Sequence, residues 1–239
     1  MEDTRYFNSD SSIYADRSSA LDRAEFIKKT YSHLALAILG FIGVEALFLS
    51  TPAIVAAGMW FVGGMQWLLL LGGFMFVTNM ADNWAQTSTD KNKQYMALAL
   101  YVVAEAFLFV PLLYIAGSMT GGGALIQQAG LMTAALFTGL TAIAFFSNKD
   151  FSFLKSFLTV GFIIAFGLIV AGLLFGFDLG LFFSGAMVLL AAGTILYQTS
   201  NIIHKYRTDQ YVAASLGLFA SFMLLFWYIL SILMRMSGD

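Results

Sequence analysis

The chain has 239 residues, 59% of them hydrophobic and 11% charged, with a net charge of −2 and no cysteine. Soluble domains carry roughly 25% charged residues, and apolar runs of ~20 residues cross a bilayer as helices. Composition therefore excludes a soluble globular protein, and with it disulfides, thiolate nucleophiles and cysteine metal sites.

His33 and His204 are the only histidines, too few for a histidine-built zinc site. No basic run points to nucleic acid, and no glycine loop followed by Lys and Ser or Thr points to a nucleotide. No cofactor is expected.

Residues 1–18 (MEDTRYFNSDSSIYADRS) are polar and rich in Ser and Asp, and read as a mobile cytoplasmic tail. Residues 19–239 read as a single transmembrane domain. The start of the chain lacks the early apolar core of a signal peptide, so the first span is expected to serve as its own targeting signal. Ser18 or Ser19 is placed to cap a short helix through SALDRAEFIKK, which feeds span one, residues 30–50.

Pro52 ends that span, and span two covers residues 53–78, tightly paired with the first. NMADNWAQTSTDKNKQ reads as a polar loop. Span three, residues 95–116, contains Pro111, tolerable where neighbours satisfy the freed carbonyl. GSMTGGG is a flexible loop before span four, residues 124–146. The polar SNKD loop leads to span five, residues 153–175. Asp178 sits in a brief turn. Span six covers residues 179–203 and span seven residues 211–234.

The expectation is an all-α membrane protein with seven transmembrane helices. Every Lys and Arg except Arg235 then falls on one side of the membrane. The positive-inside rule makes that side cytoplasmic, with the N-terminus inside and the C-terminus outside. Gly172 and Gly176 form a small-xxx-small pair that would pack span five closely on a neighbour.

The polar residues gather in GTILYQTSNIIHKYRTDQY, residues 193–211. Gln198 can hydrogen-bond across helices but holds no ionising proton. Asn201 and His204, three residues apart, share a helix face. His204 reads as a helix-end residue favoured by the C-terminal dipole.

Two carboxylates lie inside spans, and an ionisable group at that depth is a functional candidate by default. Glu45, about five residues from its span end and hence ~8 Å deep, is expected to reach outer-side water. Glu105 lies near the middle of span three. It is the candidate for a proton or cation contact, or else is hydrogen-bonded to a neighbouring helix.

Ser184-Gly185 resembles the serine of intramembrane proteases. Its nearest histidine, His204, lies ~30 Å away along the same helix, so the chain reads as non-enzymatic.

ILYQTSNIIH, residues 195–204, resembles the signature of the Bax inhibitor (TMBIM-type) family, whose members read ILYD or ILFE before a similar polar turn. KDFSFL, residues 149–154, is similar to the family's loop before span five, and Phe109-Val110-Pro111 to its span-three proline segment. The run TSNIIH is most similar to the bacterial inner-membrane branch with a member that restrains the membrane-anchored FtsH protease.

The resemblance implies a multi-pass inner-membrane protein that modulates membrane partners such as FtsH. The alternative it implies is a calcium or cation leak channel with a non-standard, weakly pH-dependent gate. The family's pH switch is an Asp pair. One position matches Gln198 and the other falls at about Phe219, with Ala220 beside it, so both acids are missing. Asn79 and Asp82 occupy the region where relatives place a basic residue at the inner end of span two.

Overall fold

Ser19 opens the first helix by accepting the Asp22 N–H on its hydroxyl at 3.2 Å. In the computed structural model, which describes residues 14, 19–88, 90–119, 121–147 and 149–238, that cap starts α1, Ala20–Leu49. There follow α2 (Pro52–Trp60), α3 (Gln66–Thr87), α4 (Lys91–Ser118) and α5 (Gly122–Phe146). A short 3-10 turn (Phe151–Phe153) leads into α6 (Leu154–Phe175), and α7 (Gly180–His204) and α8 (Tyr211–Ser237) complete the bundle. Six of these segments are long and apolar enough to cross a membrane: α1, α4, α5, α6 with its leading turn, α7 and α8. The tail expected over residues 1–18 lies outside the described residues, apart from Tyr14, which forms a backbone bridge with Arg207.

The stretch expected as one span over residues 53–78 is two helices. Residues 61–65 interrupt it, and Gly64 there takes a left-handed φ of 65° that only glycine adopts freely. The polar segment after it, expected as a loop, is mostly helix. Ala81 and Ala85 are fully buried, and Gln86 donates to Asp82 one turn back at 2.7 Å. Asp90 then caps α4 by accepting the Asn92 N–H at 2.9 Å.

Burial separates the central helices from the outer ones. Of the most apolar windows of α4 and α8, 56% and 50% is buried, against 17–22% in α1, α5, α6 and α7. Around α8 pack α1, α3, α4, α5 and α7. An aromatic cluster ties α1, α4 and α8. The Phe109 ring lies parallel to Phe226 at 5.7 Å and meets Trp227 edge-on at 4.9 Å and Phe41 edge-on at 5.3 Å. Such pairs add about 0.5–1.5 kcal/mol each beyond area burial.

Close helix approaches occur where a side chain is missing. A Cβ on Gly58 of α2 would stand 2.8 Å from Val110 Cγ1, beside Pro111. A Cβ on Gly161 would stand 2.6 Å from Leu190, and one on Gly193 would stand 3.0 Å from Leu158, so α6 and α7 notch into each other there. The expected Gly172/Gly176 pair plays a different part. Gly176 ends α6 in the left-handed conformation, its N–H donating to the Gly172 carbonyl.

The two ends of the bundle differ in chemistry. At one end His33 of α1 meets Tyr95 of α4 at 3.1 Å, Tyr95 meets Tyr211 of α8 at 3.4 Å, and Gln210 donates to the Gln86 carbonyl of α3 at 3.4 Å. Lys29 and Lys91 approach the face of Tyr211 there. At the other end Arg235 grips Asp178 with two hydrogen bonds, of 2.7 and 3.0 Å.

Replacing Gly58 by Leu forces side-chain volume into the α2–α4 contact, an overpacking cost of about 1–3 kcal/mol. Thermal unfolding in detergent will show a lowered midpoint for Gly58→Leu. The control Gly72→Leu, with nothing within 4 Å of its Cβ position, will melt as the parent does.

Candidate functional site

Helical spacing sets one face of α7 against one face of α8. Thr194 and Gln198, one turn apart, look toward Gly217 and Ser221, also one turn apart. Gly217 makes room for the amide: a Cβ there would stand 3.0 Å from Gln198 Oε1. Tyr101 and Glu105 of α4 complete the polar part of the wall. The rest is mostly apolar and aromatic, from α3, α4, α6, α7 and α8. Together they line a cavity of about 510 Å³. Trp67 and Trp227, 6.0 Å apart, border both this cavity and a second of about 330 Å³ that reaches Asp178 and Arg235.

Glu105 is 5% exposed, and its Oε2 has no hydrogen-bond partner among the described residues. The expected bond to a neighbouring helix is therefore not made by that oxygen. Glu45 is 4% exposed and both its oxygens lack partners among the described residues. The expectation that it reaches outer-side water fails because α4 packs along α1 and α2 folds back beside it. Glu45 is not part of the cavity wall, so the two carboxylates do not share that space.

Phe219 is fully buried, in ring contact with Phe41 and Tyr101 at 6.4 and 6.1 Å, and also stands off the wall. Gly217, Ala220 and Ser221 are the α8 residues of this stretch that meet Gln198 across the cavity.

The other polar candidates close helix α7. The Asn201 carbonyl accepts the N–H groups of Lys205 and Tyr206 at 2.8 and 3.0 Å, while its side-chain Oδ1 is buried without a partner among the described residues. His204 is the last residue of α7, where a basic side chain meets the negative end of the helix dipole.

Sequence reasoning missed a link between two of its own motifs. The Ser200 hydroxyl donates to Asp150 Oδ1 at 3.0 Å and accepts the Phe151 N–H at 2.9 Å. KDFSFL and TSNIIH are thus two halves of one clasp joining the α5–α6 turn to the end of α7. The polar SNKD loop was the available signal, since an Asp preceding a helical turn seeks N–H donors. Gly217 and Ser221 were missed as well, though a glycine and a serine one turn apart in an apolar span mark a face.

A bundle of membrane-length helices around an internal cavity, with one carboxylate and one amide on its wall, defines a multi-pass membrane protein with a buried polar site. The chain belongs to the Bax inhibitor family: residues 23–238 match the family profile described as inhibitor of apoptosis-promoting Bax1. It is 33% identical over 218 residues to an uncharacterized protein of Pseudomonas aeruginosa, covering 89% of this chain and 90% of that one. It is 29% identical over 234 residues to the Modulator of FtsH protease YccA of Escherichia coli K12, covering 94% and 96%. It is also 29% identical over 217 residues to Bax inhibitor 1 of Schizosaccharomyces pombe, covering 88% and 76%. The chain is a multi-pass protein of the inner membrane, and one of its relatives is named inner membrane protein YccA.

The clasp carries its own pH dependence. The Ser152 side chain and N–H, with the Ser200 hydroxyl and the nearby His204 behind them, hold the Asp150 carboxyl down at about 2, below its ordinary 3.8. A depressed folded-state value means stabilisation that is complete above 3.8 and lost as pH falls through about 2. Asp150→Ala will lower the melting midpoint at neutral pH. The gap to the parent will close as the pH approaches about 2.

Proposed function

We propose that this chain is a non-enzymatic modulator of membrane partners, foremost a membrane-anchored protease of the FtsH type. The observation that carries the reading is similarity along 94% of the chain to a protein named as a modulator of that protease. The site is consistent with it. Gln198, at the position where the family resemblance implies an acid, faces Gly217 and Ser221, so among the described residues the α7 and α8 faces of the cavity hold no pair of carboxyls.

The topology belongs to the same proposal. Counting α2 and α3 as one broken crossing gives seven. The N-terminal ends of α1, α4 and α8 and the C-terminal ends of α3 and α7 then lie on the cytoplasmic side with Lys29, Lys91 and Arg207. Asp178 and Arg235 lie outside. Residues 1–18 act as the cytoplasmic contact for the protease, attached to a single seven-helix domain over residues 19–239.

Glu105 on the cavity wall favours a second reading, a calcium or cation leak. Calcium takes about 6–8 oxygen ligands. No group of three or more His, Cys, Asp or Glu side chains is found among the described residues, which ranks this reading second.

Full-length protein co-purified with an FtsH-type protease tests the first reading, and deletion of residues 1–18 will weaken retention. Undiminished retention removes the tail from the proposal, and no retention of the full chain removes the protease. In proteoliposomes, calcium flux will show no acid-closed step. The double variant Gln198→Asp with Ser221→Asp, which sets two carboxyls across the cavity, will introduce one. A steep pH dependence in the parent protein would reverse the ranking.

A further inference from the structure

The cavity beside Gln198 opens sideways. Met75 of α3 and Phe166 of α6 both line it, yet they are 53% and 44% exposed. Each lies near the middle of its helix, far from either end of the bundle. Helix α6 packs on α7, and α3 packs on α4 and α8, so the cavity occupies the gap between α3 and α6. With these helices crossing a bilayer, a mouth at that depth faces hydrocarbon rather than water.

The charge inside is one-sided. No lysine, arginine or histidine is found on the wall among the described residues. Two of the wall hydroxyls are spent on the backbone: Ser221 donates to the Gly217 carbonyl at 2.9 Å and Thr194 to the Ala191 carbonyl at 2.7 Å. Beside the neutral donors of Gln198, Tyr101 and Tyr228, the one acidic group is Glu105, deeply buried, its Oε2 without a partner among the described residues. Around it stand the rings of Tyr101, Phe74, Phe162, Trp227 and Tyr228. Aromatic faces attract cations, and more strongly once water is excluded. The volume of about 510 Å³ lies within the roughly 300–1,000 Å³ usual for small-molecule sites.

We propose that this cavity binds lipophilic organic cations that enter from the bilayer between α3 and α6, with Glu105 as the counter-ion and the aromatic wall around the apolar body. An anion would meet a carboxyl and the negative faces of rings. A small hydrated cation would find too few oxygens. A hydrophobic phosphonium or quaternary ammonium ion meets both requirements of the wall. The site does not depend on the protease reading.

The test is equilibrium binding of tetraphenylphosphonium to the full-length protein in lipid nanodiscs, with empty nanodiscs as background. Tetraphenylborate, of nearly the same shape and opposite charge, is the comparison. Tetraphenylphosphonium will bind saturably and tetraphenylborate will not. Glu105→Gln will weaken binding at least about tenfold, as removal of one partner from a buried charge pair does. Glu45→Gln, an equally buried carboxyl off the wall, will bind as the parent does. Ala220→Phe, which fills the cavity from α8, will abolish binding with Glu105 in place. Equal binding of the two ions, or full affinity in Glu105→Gln, overturns the proposal. The comparison of the two ions needs no variant, so it decides even if a substitution fails to fold.

Discussion

Lipid gives helices almost no hydrophobic reason to associate, so this fold depends on how closely neighbours can approach α8. Its first half supplies the means. Ala213, Ala214, Ser215, Gly217, Ala220 and Ser221 are small, and α1, α4, α5 and α7 come in against that half and the aromatic half beyond it. Dispersion contacts are individually tiny and grow in number as backbones close up. The same smallness that lets α7 approach leaves Gln198 space at Gly217, so the cavity is a by-product of the contact that holds the bundle together.

The larger half of α8 works in the opposite way. Phe226 and Trp227 fill the space beside Phe109 with rings, and Pro111, two residues on, is buried under Gly58 of α2. A proline inside a helix frees a carbonyl and bends the axis. Here the proline falls where a glycine lets the neighbouring helix come close. Thus the Phe-Val-Pro segment that carried part of the family resemblance is a packing junction in the fold.

Much of this was legible in advance because apolar run length is a strong signal in membrane proteins. The positions of α4, α5, α6, α7 and α8 followed from it to within a few residues, as did the end of α1, whose start lies ten residues before the apolar run. The break before Gln66 did not, since nothing in the hydrophobicity of GMWFVGGMQW distinguishes a helix from a helix that stops at a left-handed glycine. Nor did the helical course of NMADNWAQT, where propensity and polarity read as loop and packing of Ala81 and Ala85 decided otherwise. At the site, Gln198 and Glu105 were found because polar groups in apolar runs stand out. For Gly217, Ser221 and Asp150 the sequence marks a small face and a capping Asp, but their partners depend on which helix faces which, and a single sequence does not carry that. Glu45 looked close to water by counting residues along one helix; only α2 and α4 beside it show why it is not.

The interruption between α2 and α3 bears on biogenesis. Nine residues of α2 are too short to span a bilayer, and α3, burdened by its polar second half, is absent from the segments apolar enough to cross unaided. A translocon sorting helices one at a time would have little reason to release this stretch sideways. The extensive packing of α3 along α4 offers the remedy: the pair can leave as a hairpin, with the greasy partner carrying the reluctant one. Topogenesis of the first half of the chain is then settled only once α4 has been synthesised.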